Sequence, residues 1–226
     1  MWRTRPLTLK TELCLNLTLA PASADPLGNS VAEALVAALE AATVATVMIV
    51  PDATAERATP VITSLVGLVQ KRGAAALIAN NWALARMVKA DGVHLTWSKD
   101  QIENFRSARA ELGDQFIIGA DAGRSRHEAM TLGEAGADYV AFGIPPHVED
   151  RETAEARQID LIAWWSAIFE IPCVASDVTS SSHAQRLARA GADFVALTLP
   201  QGVDANGARD WIKDVVATMT APEVAA

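Results

Sequence analysis

Short apolar runs alternate with longer amphipathic segments along the chain. The runs are rich in β-branched residues or alanine and are apolar on both faces, which is typical of parallel strands covered by helices. The predicted strands are Cys14–Leu19, Val44–Val50, Ala75–Ala79, Gly92–Leu95, Phe116–Ala120, Tyr139–Gly143, Pro172–Ser176 and Phe194–Thr198.

The segments between these strands repeat their apolar residues at steps of three and four, which predicts helices. The predicted helices are Asn29–Ala42, Ala55–Lys71, Trp82–Lys89, Asp100–Leu112, Ser125–Glu134, Gln158–Phe169, Ser180–Ala190 and Ala208–Met219.

The regular alternation of strand and helix predicts a TIM (β/α)8 barrel, and a doubly wound open sheet is the alternative. No linker, charge block or low-complexity stretch divides the sequence, so one domain is expected over residues 1–226. The Pro/Ala-rich residues 220–226 are expected to form a frayed tail.

A small Ala-Asp turn recurs where helices end and strands begin. It occurs at residues 90–93, 136–140 and 191–195, twice as Gly-Ala-Asp and once as Ala-Asp-Gly. Glycine permits the left-handed cap that ends a helix, and alanine allows a tight entry into the next strand. Such turns lie at the amino-terminal ends of the strands, where a barrel carries stabilising rather than functional residues.

Composition limits the classes of partner. The chain has 226 residues, half of them hydrophobic, and a net charge of −8, which argues against a nucleic-acid-binding surface. Small anions are still compatible with this charge, because backbone N–H groups and single arginines bind them locally. No stretch has the length of a membrane span.

The amino terminus imitates a secretory signal, with a basic start over Met1–Lys10 and a small-residue stretch over Ala22–Ala24. Glu12, Asn16 and Thr18 interrupt the apolar run between them, which favours a first strand and a cytoplasmic protein. The two cysteines, Cys14 and Cys173, lie in apolar runs and are expected to be buried reduced thiols.

Five stretches between residues 70 and 199 resemble the thiamine phosphate synthase family and its sister group, the thiazole tautomerases. They are ADGVHL from residue 90, IIGAD from 117, EAGADYVAFGIP from 134, EIPCVA from 170 and RAGADFVAL from 189. The resemblance implies a TIM barrel that joins a hydroxymethylpyrimidine diphosphate to a thiazole phosphate. It also implies Mg²⁺, which assists the departure of pyrophosphate, and a site at the carboxyl ends of the strands.

The resemblance places the metal near an Asn-Asp pair after the third strand and an H-L-G-Q-x-D motif after the fourth. Here the pair is Asn80-Asn81, and the second motif begins at His94 but has Lys99 at its aspartate position. Asp100, one residue later, is the expected metal ligand, with a helix N-cap as its alternative role. Lys99 could take over the charge of the metal. The cations that hold pyrophosphate after the second strand in the family have no counterpart in Met48–Asp52.

Later strand ends supply the other candidates. Asp121 supplies a carboxylate at a strand end. Asp121 and Lys99 are the predicted catalytic residues. The helix start over residues 179–182 offers hydroxyls and N–H groups to a phosphate. The predicted substrate-binding residues are Asn80, Asn81, His94, Trp97, Arg124, Arg126, His147, Ser176, Thr179, Ser180 and Ser181.

Several of these candidates have a structural alternative. Trp97 could stack on a planar heterocycle or simply fill the top of the barrel. Arg124 and Arg126 could be solvated while Ser125 caps a helix. His147 belongs to an acidic loop, residues 144–153, that is either lid-like or an ordinary surface loop.

Three functions are compatible with these observations. The first is a thiamine phosphate synthase-like transferase in which other residues replace the usual metal set. The second is a family member that binds a phosphorylated heterocycle, such as thiamine phosphate, without synthase chemistry. The third is a structural protein that keeps only the fold, since fold alone does not fix function. Trp164 and Trp165 lie in a predicted helix and fit either internal packing or an oligomer surface, and a homodimer is compatible with the sequence.

Overall fold

The computed structural model describes residues 11–19, 29–51, 55–145 and 147–221, without the side chains of residues 55–58. The small-residue stretch Ala22–Ala24, the basic start and residues 222–226 of the predicted tail lie outside this description. No helix in the described part of the chain is long and apolar enough to span a membrane.

Eight parallel strands close into a barrel, with a helix after each strand. Every strand pairs with the next one in the sequence, and the last strand pairs with the first. The predicted TIM barrel is therefore confirmed. The strands are β1 Glu12–Thr18, β2 Val44–Val50, β3 Ala75–Ala79, β4 Gly92–Leu95, β5 Ile117–Asp121, β6 Tyr139–Phe142, β7 Cys173–Val178 and β8 Phe194–Thr198. The helices are α1 Asn29–Ala41, α2 Ala55–Gln70, α3 Trp82–Met87, α4 Gln101–Leu112, α5 Arg126–Glu134, α6 Arg151–Ile168, α7 Ser181–Arg189 and α8 Ala205–Thr220.

The largest errors in the predicted boundaries are at helix starts. Helix α6 begins at Arg151 rather than Gln158, because the Asp150 carboxylate accepts the Thr153 N–H and caps a polar first turn. Helix α8 likewise begins three residues early, behind the Asp204 cap. The polar first turns of both helices carry no apolar periodicity, so the pattern of the sequence did not reveal them. The predicted lid-like loop over residues 144–153 is correspondingly shorter.

The recurring aspartates lock the amino-terminal end of the barrel. Asp91, Asp138 and Asp193 each accept a backbone N–H from the strand that precedes their own, at Ala76, Ile118 and Cys173 respectively. The backbone N–H of each aspartate returns a hydrogen bond to the carbonyl of the same partner. This reciprocal pair of bonds confirms that the turns serve the architecture.

Two buried glutamines hold the opposite, carboxyl end of the barrel. Gln101 Nε2 donates to the Leu95 and Asp121 carbonyls, which end β4 and β5. Gln158 Nε2 donates to the Phe142 and Ser176 carbonyls near the ends of β6 and β7. Because these donors satisfy buried carbonyl groups of adjacent strands, they fix the positions of the strand ends that carry the candidate site.

The interior is lined mainly by small and apolar side chains. Gly119 is required on β5 because a Cβ there would overlap the ring of Tyr139 from β6. Cys14 and Cys173 are buried thiols, as predicted. Trp165 is fully buried against Phe142 and Phe169, so this tryptophan belongs to the internal packing between helix and barrel.

Candidate functional site

An internal cavity of about 260 Å³ follows the barrel axis. Its walls are mostly apolar, while Asn16, His94 and Ser176 supply buried polar groups from within their strands and Thr46 and Asp138 contribute others nearer the amino-terminal end. Asn16, His94 and Ser176 are each at most 8% exposed. The cavity therefore combines an apolar lining with a few directed polar atoms, as small-molecule sites in barrels do.

His94 is held in the cavity wall by Tyr139. Its Nδ1 lies 2.8 Å from the Tyr139 hydroxyl, and the two rings are stacked with an interplanar angle of 8°. Burial lowers the pKa of His94 to about 4, so the imidazole is neutral at physiological pH. Burial also raises the pKa of Tyr139 well above its ordinary value, which keeps the phenol protonated. The pair presents a neutral hydrogen-bonding surface.

The ends of β3 and β4 are tied together by side chains that the sequence suggested for substrate. Asn80 Nδ2 donates to Thr96 Oγ1, and the Thr96 N–H donates to Asn80 Oδ1, both at 2.8 Å. Asn81 Oδ1 accepts the Leu84 N–H and so caps α3. Both asparagines thus have structural partners, whatever further contact they make with a ligand.

Lys99 and Asp100 are both exposed at the start of α4. Asp100 occupies the N-cap position, but its side chain makes no capping hydrogen bond. Asp100 therefore holds the N-cap position that the alternative interpretation predicted, but it does not form the side-chain hydrogen bond of a typical cap.

Trp97 lies outside the barrel interior and is 47% exposed. Its Nε1 donates to Glu128 Oε2 at 3.1 Å, and its indole lies against Gly123, where a Cβ would come within 2.8 Å of the ring. Trp97 therefore links the loop after β4 to the loop after β5 and does not plug the barrel. Part of its ring is still open to contact at the barrel mouth.

These contacts test whether the family's metal position fits Mg²⁺ in this chain. Mg²⁺ prefers carboxylate oxygens, but the corresponding positions offer Asn81, whose oxygen is already engaged, and the cationic Lys99. Within the described residues, no three His, Cys, Asp or Glu side chains form a group that could hold a metal ion. The residues at this position do not fit the metal, and no step of a reaction is assigned to a metal there.

Oxygen atoms converge instead at the ends of β5 and β7. A Cβ built on Gly143, just after β6, would lie within 3.0 Å of Asp121 Oδ2, Ser176 Oγ and Asp177 Oδ2. The other carboxylate oxygen of Asp121 accepts the Gly123 N–H at 2.6 Å, while the Asp177 carboxylate accepts the Ile144 N–H. Because Gly143 has no side chain, the oxygen atoms of two carboxylates and a hydroxyl can crowd against its Cα, and this cluster of oxygens is called the cradle.

The electrostatics of this cradle differ from those of ordinary surface carboxylates. Burial raises the pKa of Asp121 to about 7, with contributions from the Asp177 and Glu128 carboxylates, although the Gly123 N–H opposes the shift. Desolvation also raises the pKa of Asp177, against the Ile144 N–H and the Arg151 charge, although its side chain is partly open at the mouth. In the described residues neither carboxylate has an ion-pair partner within 4.0 Å.

Arg124 and Arg126 border a separate depression of about 490 Å³ between the start of α5 and α6. Arg157 joins them there and donates to the Arg124 carbonyl at 3.1 Å, while Arg126 lies 4.8 Å from the centre of the Trp164 ring. Ser125 caps α5, as the structural alternative required. The two arginines are exposed and are not among the residues that line the barrel cavity.

The predicted phosphate-binding helix start is present after β7. Ser180 caps α7 by accepting the His183 N–H, and Thr179 is exposed beside it. Ser181 is the first helical residue, so its N–H has no partner within the helix. His147 is exposed in the loop that follows β6. The structure thus brings Ser176 and Asp121 together, but it does not join them to His147, Arg124 or Arg126.

The predicted set of site residues omitted Asp177, Gly143 and Tyr139. Asp177 was visible in the sequence as a carboxylate next to Ser176, but its side chain meets Asp121 only because the barrel closes between β5 and β7. The glycine that separates them carries no chemical signal of its own. A signal for Tyr139 was its small partner Gly119, which leaves room for a large interior ring.

The thiamine monophosphate synthase family model matches residues 18–199, and the chain belongs to this family. A thiamine-phosphate synthase from Rhodospirillum centenum is 35% identical over 185 residues, which cover 81% of this chain and 87% of that protein. A thiamine-phosphate synthase from Erythrobacter litoralis is 44% identical over 124 residues, but these cover only 54% of this chain and 57% of the relative. A further relative, from Hyphomonas neptunium, is likewise matched over 60% of its length.

Solved structures show the same architecture. The thiamine phosphate pyrophosphorylase from Pyrococcus furiosus superposes with a TM-score of 0.70 at 21% identity, covering 94% of this chain and 98% of that one. The tryptophan synthase of Mycobacterium tuberculosis reaches a TM-score of 0.71 at 12% identity. Because a likeness of the same quality extends to a different enzyme, these superpositions establish the barrel and not the reaction.

Proposed function

We propose that this family member is a thiamine-phosphate synthase-type transferase, which couples a hydroxymethylpyrimidine diphosphate to a thiazole phosphate. The observation that carries the proposal is the axial cavity, whose mostly apolar lining includes the polar side chains of Asn16, His94 and Ser176. The relative from Rhodospirillum centenum, matched over most of both chains, supports the same assignment.

The cavity suits a planar heterocycle. The stacked rings of His94 and Tyr139 give it one flat wall, and Leu77 and Val174 belong to its apolar lining. The Ser176 hydroxyl has no hydrogen-bond partner among the described residues, so its hydrogen can be donated to a ring nitrogen while the oxygen lone pairs stay free. A pyrimidine held this way would direct its methylene group and diphosphate toward the mouth.

The reaction needs little covalent chemistry from the protein. The C–O bond between the pyrimidine methylene and the diphosphate breaks, pyrophosphate leaves with the bonding electrons, and a thiazole nitrogen forms the new C–N bond. Positioning of the two rings and stabilisation of the leaving group account for such a reaction. The start of α7, with Ser181 at its first turn, offers N–H groups for a substrate phosphate.

The partner is accordingly a small phosphorylated heterocycle, and neither nucleic acid nor a membrane has a role in the reaction. We expect the protein in the cytoplasm, where its buried thiols Cys14 and Cys173 stay reduced. The homodimer stays a prediction for measurement by light scattering.

The test is turnover by the purified chain. The protein is incubated with both substrates in the presence and absence of Mg²⁺, and thiamine phosphate is followed by its oxidation to a fluorescent thiochrome. We expect product with the native protein and at least tenfold less with Ser176→Val, which removes the hydroxyl at nearly constant volume. The absence of product at all divalent-ion concentrations, with both substrates shown to bind, would contradict the proposal.

A second candidate is a protein that binds thiamine phosphate without catalysing its synthesis. The observation in its favour is that Asn81 and Lys99 replace the two family carboxylates, so the usual metal position is absent. Calorimetric titration with thiamine phosphate and with pyrophosphate separates the two functions. Binding of thiamine phosphate that ignores Mg²⁺, without turnover, supports the binding role, and the double variant Asn81→Asp, Lys99→Asp then shows whether restored carboxylates restore synthesis.

A further inference from the structure

The cradle beside Gly143 has the composition of a cation site. Three oxygen atoms, from Asp121, Asp177 and Ser176, lie within 3.0 Å of the point that a Cβ of Gly143 would occupy. Two are carboxylate oxygens and one is a hydroxyl oxygen, which are ligands that hard divalent cations prefer. Carboxylates directed at one point repel each other unless a positive charge or a proton lies between them.

Ser176 provides the independent observation. The residue is 8% exposed, and its Oγ is buried without a hydrogen-bond partner among the described residues. A buried hydroxyl without a partner costs stability, so such groups call for a ligand that completes them. Ser176 Oγ lies in the same cradle as the two carboxylate oxygens, and the missing partner is therefore expected between these oxygens, on the side away from the Gly143 Cα.

The surrounding charges leave the cradle negative. Glu128 contributes a further negative charge near Asp121, and Arg151 is the one cation that influences Asp177 among the described groups. Arg151 is not within ion-pair distance of either carboxylate in the described part of the chain. An incoming diphosphate would be repelled by this cluster, whereas a bound cation would attract it.

We infer that Asp121, Asp177 and Ser176 form a divalent-cation site at the ends of β5 and β7, distinct from the family's metal position at the ends of β3 and β4. The protein supplies two carboxylates and a hydroxyl, and water or a substrate phosphate completes the coordination shell. This number of protein ligands is usual for Mg²⁺ sites that also bind phosphate. The inference deepens the proposed function, because the cation would attract the diphosphate of the same substrate.

The geometry explains how the site could change position. At β3 and β4, the Asn80–Thr96 pair and the capping role of Asn81 remove free acceptors from the old position. At β7, an aspartate follows the strand serine, and across the mouth Asp121 ends β5. Compared with the family pattern, carboxylates are missing at the ends of β3 and β4 and present at the ends of β5 and β7.

The test measures cation binding without any substrate. Mn²⁺ is titrated into the purified full chain, free Mn²⁺ is read by electron paramagnetic resonance, and Mg²⁺ is added as a competitor. We expect one bound Mn²⁺ per chain, with a Kd below roughly 1 mM. Asp121→Asn and Asp177→Asn should each weaken binding at least tenfold, and Ser176→Ala should weaken it about threefold.

Gly143→Ala is the sharpest variant, because its Cβ would come within 3.0 Å of all three ligand oxygens and must displace at least one of them. We expect it to weaken Mn²⁺ binding at least tenfold. The two isosteric Asn variants keep the test valid if the alanine does not fold. Asp100→Asn, at the predicted family position, is the matched control and should leave the Kd within twofold.

The inference is overturned if the native chain binds no Mn²⁺ at millimolar concentration, or if both Asn variants bind it normally. It is also overturned if Asp100→Asn abolishes binding, because the cation would then lie near α4. Mn²⁺ binding at the cradle without thiamine phosphate synthesis would support the site and contradict the proposed function, so the two failures are distinguishable.

Discussion

Aspartates occur at both ends of the barrel, but their surroundings differ: one group is hydrogen-bonded to neighbouring strands, and in the other two carboxylates lie close together. At the amino-terminal end, Asp91, Asp138 and Asp193 each accept a backbone N–H from a neighbouring strand. At the carboxyl end, the two carboxylates of Asp121 and Asp177 face each other across Gly143. The first group lowers the free energy of the fold, and the second raises it.

This difference separates structural from functional carboxylates without reference to any family. Repelling charges held close together are concentrated at sites where a ligand or reaction uses them, so unfavourable local electrostatics point to a candidate functional site. The amino-terminal aspartates satisfy their neighbours and need no ligand. Four measurements distinguish the two ends of the barrel.

The largest effect should come from matched substitutions at the two ends. Asp138→Asn removes the charge that pairs with Arg109 at 2.7 Å and weakens the acceptor for the Ile118 N–H. We expect it to lower the free energy of unfolding by about 2 kcal/mol, most of it from the hydrogen bond to the Ile118 N–H, because the ion pair is partly exposed. Asp177→Asn should change it by less than about 0.5 kcal/mol or raise it, because the substitution relieves repulsion and asparagine tolerates the φ of 56° at this position.

Chemical denaturation of both variants at pH 8 without divalent ions gives the comparison directly. Equal destabilisation by the two substitutions would show that the carboxyl-end aspartate is also structural.

The second measurement tests His94, which is buried inside the barrel between its two ends. Burial lowers the pKa of folded His94 from 6.5 to about 4, so the unfolded chain takes up a proton at a higher pH than the folded one. Stability should therefore fall as the pH decreases from 6.5 toward 4, by about 2 kcal/mol from this residue. His94→Gln should remove that part of the loss.

Urea denaturation at several pH values measures the difference between His94→Gln and the native chain. His183 also has a pKa lowered by burial, and its contribution stays in both proteins and cancels. A difference that does not vary with pH would mean that His94 titrates normally in the fold.

The third measurement tests the glutamine hydrogen bonds that hold the strands together at the carboxyl end of the barrel. Gln158→Met keeps the length of the side chain but removes the Nε2 donor to the Phe142 and Ser176 carbonyls. We expect a loss of about 1–2 kcal/mol in the free energy of unfolding, because buried carbonyls lose a partner. Gln101→Met is the matched change at β4 and β5. If Gln158→Met weakens Mn²⁺ binding and Gln101→Met does not, then the hydrogen bonds of Gln158 to β6 and β7 position the cradle.

The smallest effect should come from Trp97→Phe. The substitution keeps an aromatic face but removes the Nε1 donor to Glu128. Because the residue is 47% exposed, we expect less than about 1 kcal/mol of destabilisation and a change of at most threefold in the affinity for thiamine phosphate. Calorimetry of Trp97→Phe beside Trp97→Ala tests stacking: equal affinities in both variants would exclude contact between this ring and the heterocycle.

The sequence by itself determined the barrel. Val44–Val50, Ala75–Ala79, Gly92–Leu95 and Phe194–Thr198 were predicted with the bounds that the structure has, because short apolar runs between turn signals leave few alternatives. The Ala-Asp turns were also interpreted correctly as architecture, since the geometry of a helix end is local. The family, too, followed from these local stretches.

Which polar residues meet depends on the tertiary structure. The Asn80–Thr96 pair joins two loops, and the Asp121–Asp177 cradle joins strands separated by more than fifty residues of sequence. Such contacts depend on the register at which the barrel closes, and on a glycine that leaves space between them. Local patterns of hydrophobicity fix the elements, but distances between strand ends are set by how all eight strands pack together.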